Sequence, residues 1–357
     1  MPDAHAKKNN LGTGLLYFYI HFVTEVICFF VLGRYVGTGP EIWIIFLLYD
    51  MLAFVPQAMI GYVSDKHRKL PLGLIGLVLL AAGLLLSEHV QSPFVSLVVL
   101  CLGNCCTHVS GAEVTLRSSK GRLSHSAIFV SGGSFGVITG QLLAKTSLAS
   151  WPLLILAATA VPFVICARMF LEDADGGLEK NCAEFNYSKE DLGALAVIFM
   201  VVFIIIVRGY MGYGIPTSWK KTVWQTVLLF VTMGIGKAAG GILADRFGVR
   251  RVAVASALLA LPFLILGDRL IVVSLTGVMF FSMTMSVTLA LLVSVFPNHP
   301  GLAFGLTTIG LFLGTAPVFF FRFSTYLSNC ILLCVLTAVS VGFMLFVIKR
   351  EKRDAGV

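Results

Sequence analysis

Ionisable side chains occur inside apolar stretches of the sequence, where they could carry protons. His21 and Glu25 are four residues apart in LGTGLLYFYIHFVTEVICFFVLG, and Asn104 and His108 are four apart in LGNCCTHVSGAEV. Residues four apart lie on the same face of a helix. Carboxylates and imidazoles in a membrane cavity can titrate near neutral pH. We therefore predict that Glu25 carries a coupled proton, with His21 one turn away, and that Asp50 and His108 also handle protons.

Basic and polar side chains in similar stretches could bind a solute. Arg208 lies in IIIVRGYMGYG and Lys237 in MGIGKAAGG. Arginine offers a planar fork to an anion, whereas lysine offers a point charge. An internal ion pair, Glu25 with Arg208 or Asp50 with Lys237, is the structural alternative. The predicted solute-binding residues are Asn104, Arg208, Lys237, Gln57 and Tyr210.

Metal, redox and enzymatic chemistry are less well supported by the residues. His21, His108 and Glu25 have a workable ligand spacing, but no denser cluster of His and Asp accompanies them, so we predict neither metal nor cofactor. No convincing nucleophile and base occur at depth, which argues against an enzyme. Seven of the eight cysteines lie in apolar stretches without zinc or redox spacing, as expected of small buried hydrophobes; they are Cys28, Cys101, Cys105, Cys106, Cys166, Cys330 and Cys334.

The composition indicates that these side chains lie within a membrane. Of 357 residues, 57% are hydrophobic and only 12% are charged, which is too apolar for an ordinary soluble domain. A helix needs about 20 apolar residues to cross a bilayer. Twelve such spans are predicted, at 11–33, 40–63, 70–88, 93–116, 123–146, 149–170, 192–213, 222–243, 250–267, 270–295, 300–321 and 326–348.

Two internal echoes indicate a duplicated unit. In GYVSDKHRK and GGILADRFGVRR, Gly61 matches Gly241 and Asp65 matches Asp245 at one common offset. A second echo matches His125 with His299 and the glycines that follow each of them. We predict an all-α membrane protein of twelve transmembrane helices, in two six-helix pseudo-symmetric halves around a central cavity. The predicted parts are a six-helix bundle at 1–170, a flexible acidic cytoplasmic linker at 171–191, a second bundle at 192–348 and a basic cytoplasmic tail at 349–357.

Lysine and arginine in the loops predict the orientation. With both termini cytoplasmic, eighteen basic residues fall on the cytoplasmic side and six on the other, as the positive-inside bias requires. The net charge of +8 is explained in this way, so nucleic acid need not be invoked. The N-terminus is too polar, and the run after it too long, for a cleaved signal. We expect a monomeric multi-pass protein of the cell membrane.

Charged residues at the predicted cytoplasmic ends could form a gate. A glycine four residues before Asp65 and before Asp245 lets a neighbouring helix approach closely. Each carboxylate would favour the positive N-terminal end of span 11 or span 5 in the other half. The predicted gate comprises Asp65, Arg68, Glu113, Arg117, Gly241, Asp245, Arg246 and Arg250. The alternative is that the lysines and arginines serve only to set the topology.

The sequence from Gly241 to Arg251 resembles the signature loop of the major facilitator superfamily, Gly-x-x-x-Asp-Arg-x-Gly-x-Arg-Arg; the earlier copy departs from it at Lys66. The resemblance implies that spans 1, 4, 7 and 10 line a central cavity. The residues that it places there are His21, Glu25, Asn104, His108 and Arg208.

Three further stretches, LGNCCTHVSGAEVTL, HSAIFVSGGSFGVITG and FPNHPGLAFGL, are similar to small bacterial fosmidomycin-resistance-type exporters. VSGGSFGVITGQ is similar to the glycine-rich fifth helix of superfamily exporters, without the expected proline. These likenesses imply export.

We therefore predict a secondary active transporter that moves a small polar, anionic or amphipathic solute by alternating access with proton coupling. An uncoupled facilitator and a non-transporting sensor or binding relative are the alternatives. A channel is disfavoured because repeats with charged latches suit a rocking motion better than a fixed pore.

Overall fold

A computed structural model describes residues 11–35, 42–90, 93–172, 183–321 and 325–349. In these ranges the chain is helical and has no strand. Twelve spans within them are long and apolar enough to cross a membrane, which confirms the predicted number. We call the face at which span 1 begins and span 12 ends the termini face, and the other the opposite face.

The twelve spans form two consecutive sets of six. The first set comprises Leu11–Tyr35, Ile42–Phe54 with Pro56–Lys66, Leu72–His89, Pro93–Ser118, Leu123–Ala144 and Trp151–Glu172. The second comprises Ala194–Gly214, Val223–Phe247, Val249–Leu266, Ile271–Ser282 with Met285–Val295, Pro300–Thr315 with the short 3-10 turn Ala316–Phe319, and Tyr326–Val347.

Two spans are interrupted, which the hydrophobic pattern did not predict. Span 2 is interrupted at Val55, before Pro56, because proline has no backbone N–H and its ring crowds the preceding turn. Span 10 is interrupted after Ser282, where span 8 crosses it. A Cβ on Gly240 would collide with the backbone of Met283.

Glycines allow the close helix contacts that hold the site. Within the first half, span 1 packs along span 5. Added Cβ atoms on Gly132, Gly136 and Gly140 would meet backbone carbonyls of span 1. Between the halves, span 5 lies against span 8, and the second part of span 2 lies against span 11. These two crossings join the halves.

The described part of the predicted flexible linker, residues 183–191, packs against the rest of the protein. Ala183 and Phe185 are buried, and the Tyr187 hydroxyl donates a hydrogen bond to the Gly121 carbonyl at 2.6 Å. The backbone N–H of Lys349 in turn donates to the Tyr187 carbonyl. Aromatic packing therefore holds the end of the linker across the termini face.

Several residues used in the orientation and linker predictions lie outside the described ranges. They are Lys7, Lys8, Asp173, Asp175, Glu179, Arg322, Arg350, Lys352 and Arg353, together with nearly all of the predicted tail.

Candidate functional site

Three ionisable side chains from spans 1 and 4 meet in the first half. The Nε2 atoms of His21 and His108 are 2.8 Å apart. The Glu25 Oε1 atom lies 3.2 Å from His108 Nε2 and 3.7 Å from His21 Nε2. All three residues are buried. The two i,i+4 patterns of the sequence therefore face each other, and we call this group the imidazole–carboxylate triad.

The hydrogen bonds of the triad constrain the protonation of its two imidazole rings. His21 Nδ1 lies 2.9 Å from the Phe129 carbonyl oxygen, and His108 Nδ1 lies 2.9 Å from the Asn104 carbonyl oxygen. A carbonyl oxygen can only accept, so both Nδ1 atoms carry hydrogen. Two bare Nε2 atoms at hydrogen-bond distance would place lone pair against lone pair. A proton shared between them would remove this conflict, and it would give the pair a charge of +1 opposite the Glu25 carboxylate.

The same three side chains could also be considered as ligands of a metal ion. One ligand atom each from His21, His108 and Glu25 lies within 4.8 Å of the other two, and Nδ1 atoms held by carbonyls are typical of metal-binding histidines. However, two nitrogens at about 2.0–2.1 Å from one tetrahedral ion would be about 3.3 Å apart. The observed 2.8 Å separation is shorter than this and is a hydrogen-bond distance, which favours a shared proton over a bound ion.

Asn104 links the triad to span 2. Its Nδ2 atom lies 3.3 Å from both Glu25 Oε1 and the Tyr49 hydroxyl. Its Oδ1 atom is buried and, among the described residues, has no hydrogen-bond partner. Asp50 lies beside this group, close enough for its charge to interact with Glu25. In the described ranges Asp50 makes neither a hydrogen bond nor an ion pair.

Two phenylalanines separate the triad from the termini face. The Phe129 ring of span 5 lies 6.1 Å from the Phe304 ring of span 11, and Phe304 stacks on His108 at 6.4 Å. This contact crosses between the halves. The sequence did not identify either residue, because nothing distinguishes them among 28 phenylalanines.

Arg208 and Lys237 bring positive charge into the second half. Arg208 is buried, and its Nη1 atom donates to the Thr288 hydroxyl at 3.3 Å. Lys237 Nζ donates across the halves to the Ser134 hydroxyl at 2.9 Å. The proposed internal ion pairs, Glu25 with Arg208 and Asp50 with Lys237, are therefore wrong for this structure. Glu25 instead contacts histidines that lie nearer on its own half.

Two predicted solute-binding residues lie elsewhere. Gln57 is buried where span 2 meets span 11, and its Nε2 atom donates to the Ala53 carbonyl of its own helix. The Tyr210 hydroxyl donates to the Phe321 carbonyl near the opposite face. Neither side chain has a hydrogen bond to the triad or to the two basic residues. Sequence spacing alone could not show which face of each helix they occupy.

A second group of charges lies at the termini face in the first half. Arg117 Nη2 is 3.0 Å from Asp65 Oδ1, and Arg117 Nε is 3.3 Å from Glu113 Oε1. The side chains of Asp65 and Arg117 have no exposed surface. Ser64, which the sequence did not suggest, donates to Glu113 at 2.6 Å. The structure thus brings together the three charged residues that the sequence grouped.

Asp65 also binds the start of a helix in the other half. Its carboxylate accepts the backbone N–H groups of Gly301 and Leu302, the second and third residues of span 11, at 3.1 and 2.9 Å. The N-cap residue of that helix, His299, makes no side-chain cap of its own. A Cβ on Gly61 would collide with the Gly301 carbonyl, so glycine is needed for this approach.

Asp245 of the second half makes the equivalent contact with a helix of the first half. It accepts the N–H groups of Leu123 and Ser124, at the start of span 5, at 2.7 and 2.9 Å. Gly241 packs against Ala127 of the same helix. Each half therefore caps a helix of the other. We call these two contacts the Asp65 cap and the Asp245 cap.

The two caps correct the repeat register. Because each cap holds two successive N–H groups, Leu123 corresponds to Gly301 and Ser124 to Leu302. His125 then corresponds to Ala303 rather than to His299, so the second echo of the sequence is one helical turn out of register. His125 lies inside span 5, whereas His299 is the N-cap of span 11.

Three predicted gate residues lie outside both caps. Arg246 is exposed and packs over the Phe247 ring. Arg250 donates to the Ile348 carbonyl at the end of span 12. Arg68 lines a cavity at the termini face together with Glu113 and Arg168.

Comparison with known proteins agrees with this architecture. No model of a known protein family matches the sequence. The chain is 26% identical over 316 residues to YfnC of Bacillus subtilis (strain 168), described as an uncharacterized MFS-type transporter. The match covers 79% of this chain and 76% of YfnC.

Solved structures with the same fold cover nearly the whole chain. The human organic anion transporter MFSD10 (TETRAN) has a TM-score of 0.62 at 14% identity, covering 96% of this chain and 97% of that one. FucP in an outward conformation has a TM-score of 0.61 at 16% identity, covering 94% and 98%. A second FucP structure, described as the E. coli fucose:proton symporter, has 0.61 at 13%, with the same coverage.

In the described ranges, twelve apolar spans in two halves that meet at spans 2, 5, 8 and 11 have the fold of these solved membrane transporters. The chain shares this fold with solved major facilitator superfamily transporters and is similar in sequence to YfnC, which is described as an MFS-type transporter. Both findings agree with the sequence-based prediction of that superfamily.

Proposed function

We propose that the protein is a proton-coupled secondary transporter of a small solute and that the imidazole–carboxylate triad is its proton carrier. The observation that carries the proposal is the 2.8 Å contact between two Nε2 atoms whose rings both donate through Nδ1. Such a contact holds one exchangeable proton. Histidine is the side chain whose unperturbed charge change falls within the physiological pH range.

Loss of the shared proton changes the forces within the triad. While the proton is present, the imidazolium pair and Glu25 together are neutral. When it leaves, the facing lone pairs of His21 and His108 repel each other, and Glu25 loses its counter-charge. The other charged groups within electrostatic reach are Asp50 on span 2 and Lys237 on span 8. Proton loss therefore favours rearrangement between span 1, span 4 and the second half.

Alternating access requires the caps to break. We take the termini face to be cytoplasmic, because the loops there hold most of the lysine and arginine residues, and the cell membrane to be the location. The Asp65 cap, the Asp245 cap and the Phe129–Phe304 contact then close the cytoplasmic side. A single chain contains both halves, so a monomer suffices.

Direction and solute are separate questions from coupling. MFSD10 is described as an organic anion transporter and FucP as a fucose:proton symporter, so the shared fold does not select one solute. Export from the cytoplasm is our proposal for direction, on the likeness of the glycine-rich span 5 to exporters. The alternatives remain an uncoupled facilitator and a non-transporting sensor.

Ring nitrogen spectroscopy tests the proton carrier without a solute. The full chain, labelled with ¹⁵N-histidine, is measured in nanodiscs between pH 5 and 9. We expect both Nδ1 atoms of His21 and His108 to remain protonated while one shared Nε2 proton is lost. His89→Gln, at an exposed histidine near the opposite face, removes an unrelated signal and serves as the control. An unprotonated Nδ1 on either ring would contradict the proposal.

Flux through liposomes tests the coupling. Purified protein is supplied with a labelled panel of sugars, organic anions and amphipathic cations, with and without an imposed pH gradient. We expect the gradient to drive accumulation in the wild type and in His89→Gln. Glu25→Gln and His108→Gln should retain solute exchange but lose its dependence on the gradient. Flux that ignores the gradient identifies a facilitator, and no flux for the panel favours a sensor; both outcomes reject the proposed function.

A further inference from the structure

A cavity of about 250 Å³ lies between spans 5 and 8 at the opposite face. Gln141 of span 5 and Thr226 of span 8 both line it, so the cavity lies between the two halves. Nearer the middle of the membrane the same spans are in contact, since a Cβ on Gly234 would meet the Phe135 ring. One water molecule needs only about 10–15 Å³, so the cavity has room for a polyatomic group.

Three lysines contributed by both halves line this cavity. Lys145 directly follows span 5, whereas Lys220 and Lys221 come just before span 8. Among the described residues no acid lines the cavity, and none of the three ammonium groups makes an ion pair with a carboxylate. A cleft lined by one sign of charge attracts counter-ions, because its low-dielectric walls focus the field. We call this feature the three-lysine cavity.

Two general tendencies disfavour lysines at these positions. Most basic residues of the chain lie in the loops of the termini face, yet three of the six on the other side line this one cavity. Lys220 and Lys221 also lie just before the start of a helix whose first turn contains no acidic residue. The N-terminal end of a helix carries partial positive charge and favours anions over cations. An anion bound in the cavity would offset these repulsions.

The cavity lies where lipid headgroups meet the apolar part of the membrane. It is formed by the ends of two apolar spans, and Trp224 beside it is exposed. Tryptophan is enriched at membrane–water interfaces. Val223, which lines the cavity, is also exposed, so an apolar surface continues from the lysines along span 8. A phospholipid has the matching arrangement, with a phosphate group at one end and acyl chains beyond it.

We propose that the three-lysine cavity binds the phosphate group of an anionic phospholipid, of the phosphatidylglycerol class, whose acyl chains lie along Val223 and Trp224. Basic pockets between transmembrane helices are suited to such headgroups. The site does not depend on the proposed solute, proton coupling or direction of transport. Because its lysines come from both halves, a bound headgroup joins the end of span 5 to the start of span 8.

Quenching of Trp224 fluorescence by brominated lipids tests binding at this cavity. The full chain is placed in phosphatidylcholine nanodiscs that contain a small fraction of brominated phosphatidylglycerol or of brominated phosphatidylcholine. The quenching that disappears in Trp224→Phe belongs to this residue. We expect phosphatidylglycerol to be preferred beside Trp224 by roughly 10-fold to 100-fold, because each lysine near the headgroup contributes about fivefold.

Matched variants assign the lipid preference to the lysines. Lys145→Gln, Lys220→Gln and Lys221→Gln should each lower the preference about fivefold, and Lys220→Arg, which keeps the charge, should retain it. Arg269→Gln is the control, because it removes an exposed cation of the same face that does not line the cavity. Each variant is first melted to establish that it folds.

Four results would overturn the lipid site. The wild type could bind the two lipids equally, or the preference could persist in the folded double variant Lys220→Gln/Lys221→Gln. An equal loss of preference in Arg269→Gln would assign the effect to the general charge of this face. Release of phosphatidylglycerol by millimolar inorganic phosphate at constant ionic strength would identify a free anion as the occupant. Because no solute or gradient is used, failure of the proposed transport would leave this test unaffected.

Discussion

Replacing Asp65 by asparagine tests whether the Asp65 cap holds the termini face closed. The substitution preserves shape and one acceptor oxygen, but it removes the charge that faces Arg117 and the N-terminal end of span 11. Both members of the Asp65–Arg117 pair are fully buried. The matching change, Asp245→Asn, removes an exposed carboxylate that contacts only backbone N–H groups in the described structure.

The burial difference sets the expected magnitudes. Breaking a buried ion pair costs about 3–5 kcal/mol, and we take the lower end because Glu113 still contacts Arg117. A loss of about 3 kcal/mol raises the ratio of open to closed protein roughly 100-fold. Loss of a helix N-cap costs about 1 kcal/mol, which corresponds to a change of about fivefold. If the open form is about 0.1% populated, Asp65→Asn raises it to about 10%.

Pulsed electron paramagnetic resonance can measure this population. Spin labels are placed at Lys69→Cys, in the loop that follows span 2, and at Arg251→Cys, in the first turn of span 9. Cys166 and Cys334, which are exposed and not buried as the sequence analysis expected, are changed to serine, together with Cys182. We expect a second, longer distance in Asp65→Asn that is barely detectable in Asp245→Asn.

Arg246→Gln is the control for charge removal at the same face, because Arg246 is exposed and packs on Phe247. It should leave the distance distribution unchanged. An unchanged distance distribution in folded Asp65→Asn would refute the role of the Asp65 cap in closure. An equal shift of the distances in both aspartate variants would refute it as well. Either result would mean that the carboxylates contribute to topology or folding rather than to closure.

Two further changes test packing at the termini face. Gly61→Ala should lower the Tm and favour the open form, because its Cβ would collide with the Gly301 carbonyl. Gly12→Ala is the control and should leave the Tm unchanged, because nothing lies within 4 Å of its Cβ. Equal melting temperatures for the two variants would contradict the prediction for Gly61. Tyr187→Phe removes one hydrogen bond between the linker and the first half. The loss of about 1 kcal/mol should increase the open form several-fold. Limited proteolysis within the linker measures this change, and cleavage as slow as in the wild type would argue against the prediction.

The gate residues show which contacts between the halves a sequence repeat can predict. A glycine followed after four residues by an aspartate, at matching helix ends in the two halves, was enough to propose that each carboxylate meets a helix start in the other half. The pattern could not show that the two caps are unequal. Asp65 is buried with Arg117, whereas Asp245 is exposed and accepts only backbone N–H groups in the described structure; the difference depends on Arg117, which span 4 places against Asp65.

The intramembrane charges show which contacts residue spacing cannot predict. Spacing of four residues indicated that His21 and Glu25 share one helix face and that Asn104 and His108 share another. It could not show that the two faces meet, nor that both Nδ1 atoms are held by carbonyls. It also suggested ion pairs for Arg208 and Lys237 that the packing does not form.

The sequence by itself determined the membrane location of the chain, the number of its spans and its duplicated halves, because apolar length and repeat periodicity are local properties. Tertiary structure alone decided which helix faces converge. The contact between the two Nε2 atoms of the triad, the Phe129–Phe304 contact and the helix caps between the halves all depend on atoms from spans that are far apart in sequence. Distances between such atoms follow from helix packing, and the order of residues along one helix does not contain them.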